Sequence, residues 1–279
     1  MDTINKVIPL KSANEEIKIV PLGDIHLGTR ACDEDLLNMT VRKIKESGAY
    51  WIGMGDYCEY INRKDKRFDP TIIAPWINVY DLKDIARVQS KKVIDILKPI
   101  AKQCIGLIEG THEMILEAFS ERDIYSEIIM GIKDEAGMGE DDKLKLGFYG
   151  WLNLHFSSGT RRAMVSISAM HGARASELAG AKALNMQRWL WTHGCDIALI
   201  GHNHSSIVTR EVVEEINHLG EVKEKIRYGC YTGSFYRTNL VGYTTYAERK
   251  QLLPLPLGGV EITIKPFAQE ERDKIRISQ

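Results

Sequence analysis

The 279-residue sequence predicts one α/β domain: a parallel β-sheet with a second sheet packed on it. Three observations lead there. Short apolar runs alternate with amphipathic stretches through the first two thirds of the chain, the order produced when strands are joined by crossover helices. From Ile207 onward the pattern turns mostly β, closing with Val260 to Ile264. No repeat, low-complexity tract or Pro/Gly/Ser-rich linker divides the chain, and only the tail from Gln269 to Gln279 reads as polar throughout.

Each element has a local reason. Ile17 to Leu22 reads as a strand ending in Gly23-Asp24. A helix follows from about Asp33, whose carboxylate suits an N-cap; Leu36, Leu37, Val41 and Ile44 share a face, and Gly48 supplies a left-handed stop. Tyr50 to Met54 is a second strand, ending in Gly55-Asp56. The amphipathic stretch Leu82 to Ala101 leads to a third, Cys104 to Ile108. A helix near Ile124 to Ile132, a polar turn region at Gly137 to Lys143 and strand-like runs around Leu146 and Leu152 come next. Ala163 to Met170 reads as strand, Glu177 to His193 as a helix stopped by Gly194, and Asp196 to Ile200 as strand again. The segment 114–150 has the length either to cap one edge of the fold or to pack on its far side.

Composition narrows the function. Hydrophobic residues make up 44% and charged residues 27%, which excludes a disordered or fibrous chain. A domain of this length buries roughly 75% of its unfolded surface, so it needs no metal or disulfide merely to fold. The 37 basic and 38 acidic residues leave a formal charge of -1, against a main role in coating long nucleic acid or an anionic membrane. Cys32, Cys58, Cys104, Cys195 and Cys230 are odd in number and form no CxxC pair, the usage of reduced thiols. The first residues lack the pattern of a signal peptide, and no apolar run nears the ~20 residues of a membrane span. A soluble, cytoplasmic protein is expected.

Five polar clusters stand where apolar runs stop: Gly23-Asp24-Ile25-His26, Gly55-Asp56-Tyr57-Cys58-Glu59, Gly110-Thr111-His112-Glu113, His171-Gly172 and Gly201-His202-Asn203-His204. Ligands of open α/β sheets bind just beyond the carboxyl ends of the strands, so five strand ends deliver Asp and His side chains to one edge. Carboxylate and imidazole together suit Zn, Fe, Mn, Ni or Co better than Mg or Ca. Two Asp and four His, besides His112, are too many for one ion with an open position. Two ions about 3.5–4 Å apart would use them all.

In order and spacing these clusters resemble the signature of calcineurin-like metallophosphoesterases: D-x-H, G-D-x-x-(D/E), G-N-H-(D/E), H-G and G-H-x-H. The resemblance spans Asp24 to His204. It implies a four-layer α/β/β/α sandwich of two mixed β-sheets flanked by helices, and two divalent transition-metal ions, Mn foremost. It implies that Asp24, His26 and His204 hold the first ion, that Asp56 bridges to the second, and that His171 and His202 complete it. It implies a catalytic role for His112 at the leaving oxygen and hydrolysis of phosphate esters, phosphodiesters foremost, by a hydroxide bridging the ions. One position departs: Thr111 stands where the family has the Asn whose amide oxygen ligates the second metal; it is counted with that metal's ligands as a shorter hydroxyl oxygen acting through a water, which predicts a weaker or altered second site. The run Tyr246-Ala247-Glu248-Arg249-Lys250, followed by Pro254 and Pro256, resembles phosphoesterases of bacteriophages and prophages and favours a nucleotide or nucleic-acid substrate. The lack of any basic run favours small substrates. Alternatives are a phosphomonoesterase or protein phosphatase, an esterase using one metal, and a non-catalytic protein-binding scaffold.

Other residues get plainer readings. Glu59 and Glu113 are expected to orient neighbours through hydrogen bonds, and the cysteines to pack as small hydrophobes. His155, His193 and His218 receive no role. Arg161 and Arg162, with Lys143 and Lys145, either meet substrate phosphates or form a solvated surface. Thr232-Gly233-Ser234 is read as a structural turn.

Overall fold

A computed structural model describes residues 1–172, 178–216 and 219–279. One sheet is made by β2 (Ile17–Leu22), β3 (Tyr50–Gly53), β4 (Cys104–Leu107), β11 (Glu261–Ile264) and β12 (Ile275–Ser278), in the order β12-β11-β2-β3-β4. Strands β2, β3 and β4 run parallel, whereas β11 is antiparallel to both its neighbours. The other sheet contains β1 (Asp2–Pro9), β5 (Tyr149–Ser158), β6 (Arg161–Met170), β7 (Ile197–Ile200), β8 (Ser206–Ile216), β9 (Val222–Ser234) and β10 (Gly258–Gly259). Its order is β1-β5-β6-β7-β9-β10, with β8 also paired to β9. Here β6, β7 and β9 are parallel, and β5 runs against β6.

Alternation along the central strands produces the layers. On β2, Ile17 and Ile19 face the space between the sheets, while Val20 and Leu22 face outward. The outward face is covered by α1 (Glu34–Ser47), α2 (Ile85–Leu97) and α4 (Ile124–Ala136), through Leu37, Val93 and Ile128 among others. On β7, Ile197 and Leu199 point between the sheets, and Ala198 and Ile200 meet Met186 and Leu190 of α5 (Ala179–Thr192). Successive strand residues point to opposite faces, so a strand buried on both sides reads as an unbroken apolar run. The result is the four-layer α/β/β/α sandwich that the motif resemblance implies.

Local signals acted as read. Asp33 caps α1 by accepting from Leu36 N at 3.0 Å, and Gly48 ends it at φ 67°. Helix α2 stops at Leu97 because Pro99 lacks an N–H, and the chain passes through a 3-10 turn into β4. Trp51 Nε1 donates to Ile100 O at 2.7 Å and fixes that turn on β3.

Three features differ from the sequence expectation. Strand β1 was not foreseen; only Ile4 and Ile8 of its eight residues are buried, too sparse an alternation to stand out. The tail read as polar contributes to the core, because Ile275 is buried between the sheets and β12 pairs with β11. Leu146 forms no long strand of its own: its N–H donates to Leu107 O at 3.0 Å, extending the sheet beside β4. The late strands therefore divide between the two sheets. Segment 114–150 contributes α3 (Thr111–Ser120) and α4, which bury Leu116, Ile124, Tyr125 and Ile132 in the helical layer. Glu177, read as the start of a helix, lies outside the described residues, as does His218. No helix among the described residues is long and apolar enough to cross a membrane.

Buried Asp196 ties the second sheet together, accepting from Ser166 N at 2.7 Å and Ser166 Oγ at 2.8 Å and pairing with Lys225 at 2.8 Å. Burial opposes its charge, yet the Lys225 and Ser166 hydrogen bonds hold its pKa below the ordinary carboxylate value. A depressed folded-state pKa contributes stability above the unfolded value, and that contribution is lost as pH falls through the folded value. Asp196→Ala should therefore cost about 2–3 kcal/mol in urea unfolding at pH 7, and the gap from wild type should narrow below about pH 4.

Candidate metal centre

The parallel strands of both sheets end at one common edge. From the first sheet, β2 delivers Asp24 and His26, β3 delivers Asp56, and β4 leads into Thr111 and His112 at the start of α3. From the second, β6 delivers His171, and β7 delivers His202 and His204. Asp24, His26, Asp56, His202 and His204 have φ of 48°, 50°, 50°, 64° and 51°, five of the eight non-glycine residues in the left-handed region among those described. Such conformations cost energy and gather where a site demands them.

Two glycines let the strand ends touch. Gly55 has φ 85°, and a Cβ there would lie 2.6 Å from Gly110 Cα; a Cβ on Gly110 would lie 2.0 Å from Asp56 N. The close approach brings Asp56 under the first turn of α3, where His112 N donates to its Oδ1 at 2.8 Å. The loop after β2 is stitched on from the other side: Ile25 N and His26 N both donate to Asp56 O, at 2.9 and 3.0 Å.

Three groups of side chains each bring their ligand atoms within 4.8 Å of one another: Asp24 with His26 and His204, Asp56 with His171 and His202, and His26 with Glu59 and His112. His26 Nε2 lies 3.0 Å from His204 Nε2, and His204 Nε2 lies 3.5 Å from Asp24 Oδ1. Asp56 Oδ2 stands 3.2 Å from His171 Nε2 and 3.9 Å from His26 Nε2, between the first two groups. His171 Nδ1 donates to Met54 O at 2.8 Å, which turns Nε2 toward Asp56. His112 Nδ1 donates to Glu59 O at 2.5 Å, and His26 Nδ1 donates to Glu59 Oε2 at 2.9 Å. Asp24 and His171 are fully buried, and Asp24 Oδ1 has no hydrogen-bond partner among the described residues. Buried polar atoms without partners are rare in folded proteins, and such an atom here stands in a candidate metal-binding group. The donor set fits a divalent transition metal.

The electrostatics point the same way. Burial raises Asp24, and despite the opposing His171 its pKa reaches about 7. Burial would raise Asp56 also, but His171 and His112 hold it well below the ordinary value. Burial would depress His26, but Glu59, Asp56 and Asp24 lift it to about 9; Asp56 likewise overrides burial and lifts His171 to about 10. His202 falls to about 4 through burial and the adjacent His171, and His204 drops through burial and His26. The buried carboxylates thus favour positive charge between the rings. Protons on His26 and His171 meet that demand, and a divalent cation would meet it with the rings deprotonated.

Thr111 Oγ1 donates to both oxygens of Asp56, at 3.2 and 3.1 Å. Glu113 is fully buried and accepts three backbone N–H groups, from Asp56, Tyr57 and Gly110, each at 2.9 Å. Two contributors were missed by sequence reasoning. Ser234 Oγ donates to Asp24 O at 2.9 Å, so the turn read as structural also braces the loop that carries Asp24. The Tyr236 ring lies 5.2 Å from that of His26 and 5.7 Å from that of His204, walling the first group. The aromatic richness of Tyr228 to Tyr246 was its only signal.

Arg161 and Arg162 are overturned as phosphate contacts for this edge. They begin β6, whose opposite end delivers His171, and ten residues at ~3.3 Å each separate the two by about 30 Å. Lys145 pairs with Asp123 at 3.8 Å and lies over the Tyr125 ring. His193 stacks on Trp189 at 3.9 Å, and half-buried His155 lies 3.4 Å from Asn5 Oδ1.

No family model and no curated protein matches the sequence. Solved structures resemble it at low identity. A metallophosphoesterase from Sphaerobacter thermophilus is 11% identical over 94% of this chain and 86% of that one, with a TM-score of 0.32. Vps29 complexed with zinc from Entamoeba histolytica is 11% identical over 94% and 97%, with a TM-score of 0.38. GAP50, the anchor in the inner membrane complex of Plasmodium, is 11% identical over 89% and 81%, with a TM-score of 0.46. Likeness of this degree concerns backbone arrangement and assigns no activity.

Glu113 is expected to carry the geometry of the β3–β4 junction. Glu113→Ala leaves three buried N–H groups without an acceptor and should lower the unfolding free energy by about 3 kcal/mol or more; Glu113→Gln, which keeps one acceptor oxygen, should fall between alanine and wild type in the same denaturant titration.

Proposed function

We propose that this chain is a metal-dependent phosphoesterase whose foremost substrates are phosphodiesters of nucleotides or nucleic acids. What supports this reading is that Asp56, a member of one Asp/His group, also approaches the other, and that each group draws residues from both sheets. Asp24, His26 and His204 would hold one divalent ion, and Asp56, His171 and His202 would hold a second. When bound, such ions supply Lewis-acid activation of water and of the phosphoryl oxygens.

The chain's own residues orient and transfer protons. Asp56 is kept in place by the Thr111 hydroxyl and the His112 N–H. His112 has Nδ1 committed to Glu59 O, which leaves Nε2 to hydrogen-bond a phosphoryl oxygen or to give a proton to the leaving oxygen. Tyr236 excludes water from one side of the His26–His204 pair. The Thr111 hydroxyl is given to Asp56, so the second group receives less from this position than an amide oxygen would supply and would bind an ion more weakly. That same contact favours the rival reading, a non-catalytic binding scaffold.

Protein loaded with Mn should hydrolyse bis(4-nitrophenyl) phosphate, and the activity should disappear with chelator and return with Mn. Asp56→Asn should abolish turnover and lower bound Mn; a wild type inert toward mono- and diesters with every transition metal tried would establish the scaffold instead. His112→Ala should slow turnover about 10²–10⁴-fold at unchanged metal content. Thr111→Asn should raise both second-ion occupancy, read by elemental analysis, and the rate.

A further inference from the structure

Glu59 touches two histidines through two different groups. Its side-chain Oε2 accepts from His26 Nδ1 at 2.9 Å, while its main-chain oxygen accepts from His112 Nδ1 at 2.5 Å. Each imidazole thereby carries its proton on Nδ1 and presents Nε2, His26 toward His204 and Asp56. The two rings stand edge to face with centroids 4.8 Å apart. Glu59 is itself held from both sides: its N–H donates to Leu27 O at 2.9 Å, and the next residue, Tyr60, takes the left-handed conformation and donates to Gln89 Oε1 at 2.8 Å.

We infer that Glu59 is a positioning residue whose carboxylate serves the ligand His26 and whose main chain alone serves His112. This rests on the metal-dependent reading above and specifies how that site is divided. With Nδ1 of His112 already on the carbonyl, the carboxylate is free to fix the His26 ring and raise its basicity toward an ion. Removing the side chain therefore weakens metal holding and leaves the His112 anchor in place.

The test is calorimetric titration of the metal-free protein with Mn alone. Glu59→Ala should weaken Mn binding about 10–100-fold. Glu59→Gln, which keeps a neutral acceptor for His26 Nδ1–H, should weaken it less. Because the effect runs through His26, the same Glu59→Ala ratio should appear in a His112→Ala background. If Glu59→Ala fails to fold, as read by thermal unfolding of the metal-free protein, Glu59→Gln decides: weaker Mn binding than wild type in both backgrounds supports the inference. Mn affinity equal to wild type, or an effect that vanishes in the His112→Ala background, overturns it alone. A wild type that takes up no Mn overturns the parent reading and this inference together.

Discussion

Asp56 is held at once by several elements of the strand-end edge. Its carbonyl accepts two N–H groups from the loop after β2, its own N–H goes to Glu113 on α3, and its carboxylate takes the His112 N–H and the Thr111 hydroxyl. The remaining face of that carboxylate meets His171 from the other sheet. Three strands of one sheet and one of the other are thus referred to a single buried side chain. A carboxylate so constrained costs a good deal to desolvate, and that cost is tolerated only because positive charge stands on one side and hydrogen-bond donors on the other.

Placing five chemistry-bearing residues in left-handed turns carries a cost of roughly 1–2 kcal/mol each. The turns persist because the surrounding structure over-determines them. Backbone hydrogen bonds link the β2 and β3 loops, Ser234 Oγ braces Asp24 O, and His202 N donates to Asp24 Oδ2 at 2.8 Å. The Gly55–Gly110 contact removes the side chains that would otherwise push β3 and β4 apart. Beneath them, the apolar layer between the sheets includes Ile52, Met54, Ile167 and Leu199, from strands that carry the site. Close packing of that layer gives the strand ends little freedom to relax away from the turns.

The imidazoles fall into two electrostatic classes for a reason visible in their partners. His26 and His171 face carboxylates and hold protons readily; His202 and His204, half-buried beside those two, resist them. A cation placed between the rings would be met by neutral nitrogens from one class and by nitrogens released from protons in the other. The charge of the buried carboxylates, not the number of histidines, creates the demand for a cation.

Much of this was legible before any coordinates. The apolar runs IKIVPL, YWIGM and IALI announced strands buried on both faces, and Asp33 and Gly48 marked the ends of α1, because caps and two-sided burial leave local signatures. The ordered Asp and His clusters marked the chemistry, since each follows the strand that delivers it. Strand β1, the pairing of the polar tail as β12, and the contributions of Ser234 and Tyr236 were not legible. Each depends on a partner far away in the chain, and neither alternation nor spacing encodes which strand lies alongside. The sequence by itself determined which residue types arrive at strand ends and in what order. Only the tertiary structure decided that both sheets end at one edge, that Asp56 stands between the two groups, and that Thr111 spends its hydroxyl on a carboxylate, because those outcomes are set by packing between segments that the chain keeps far apart.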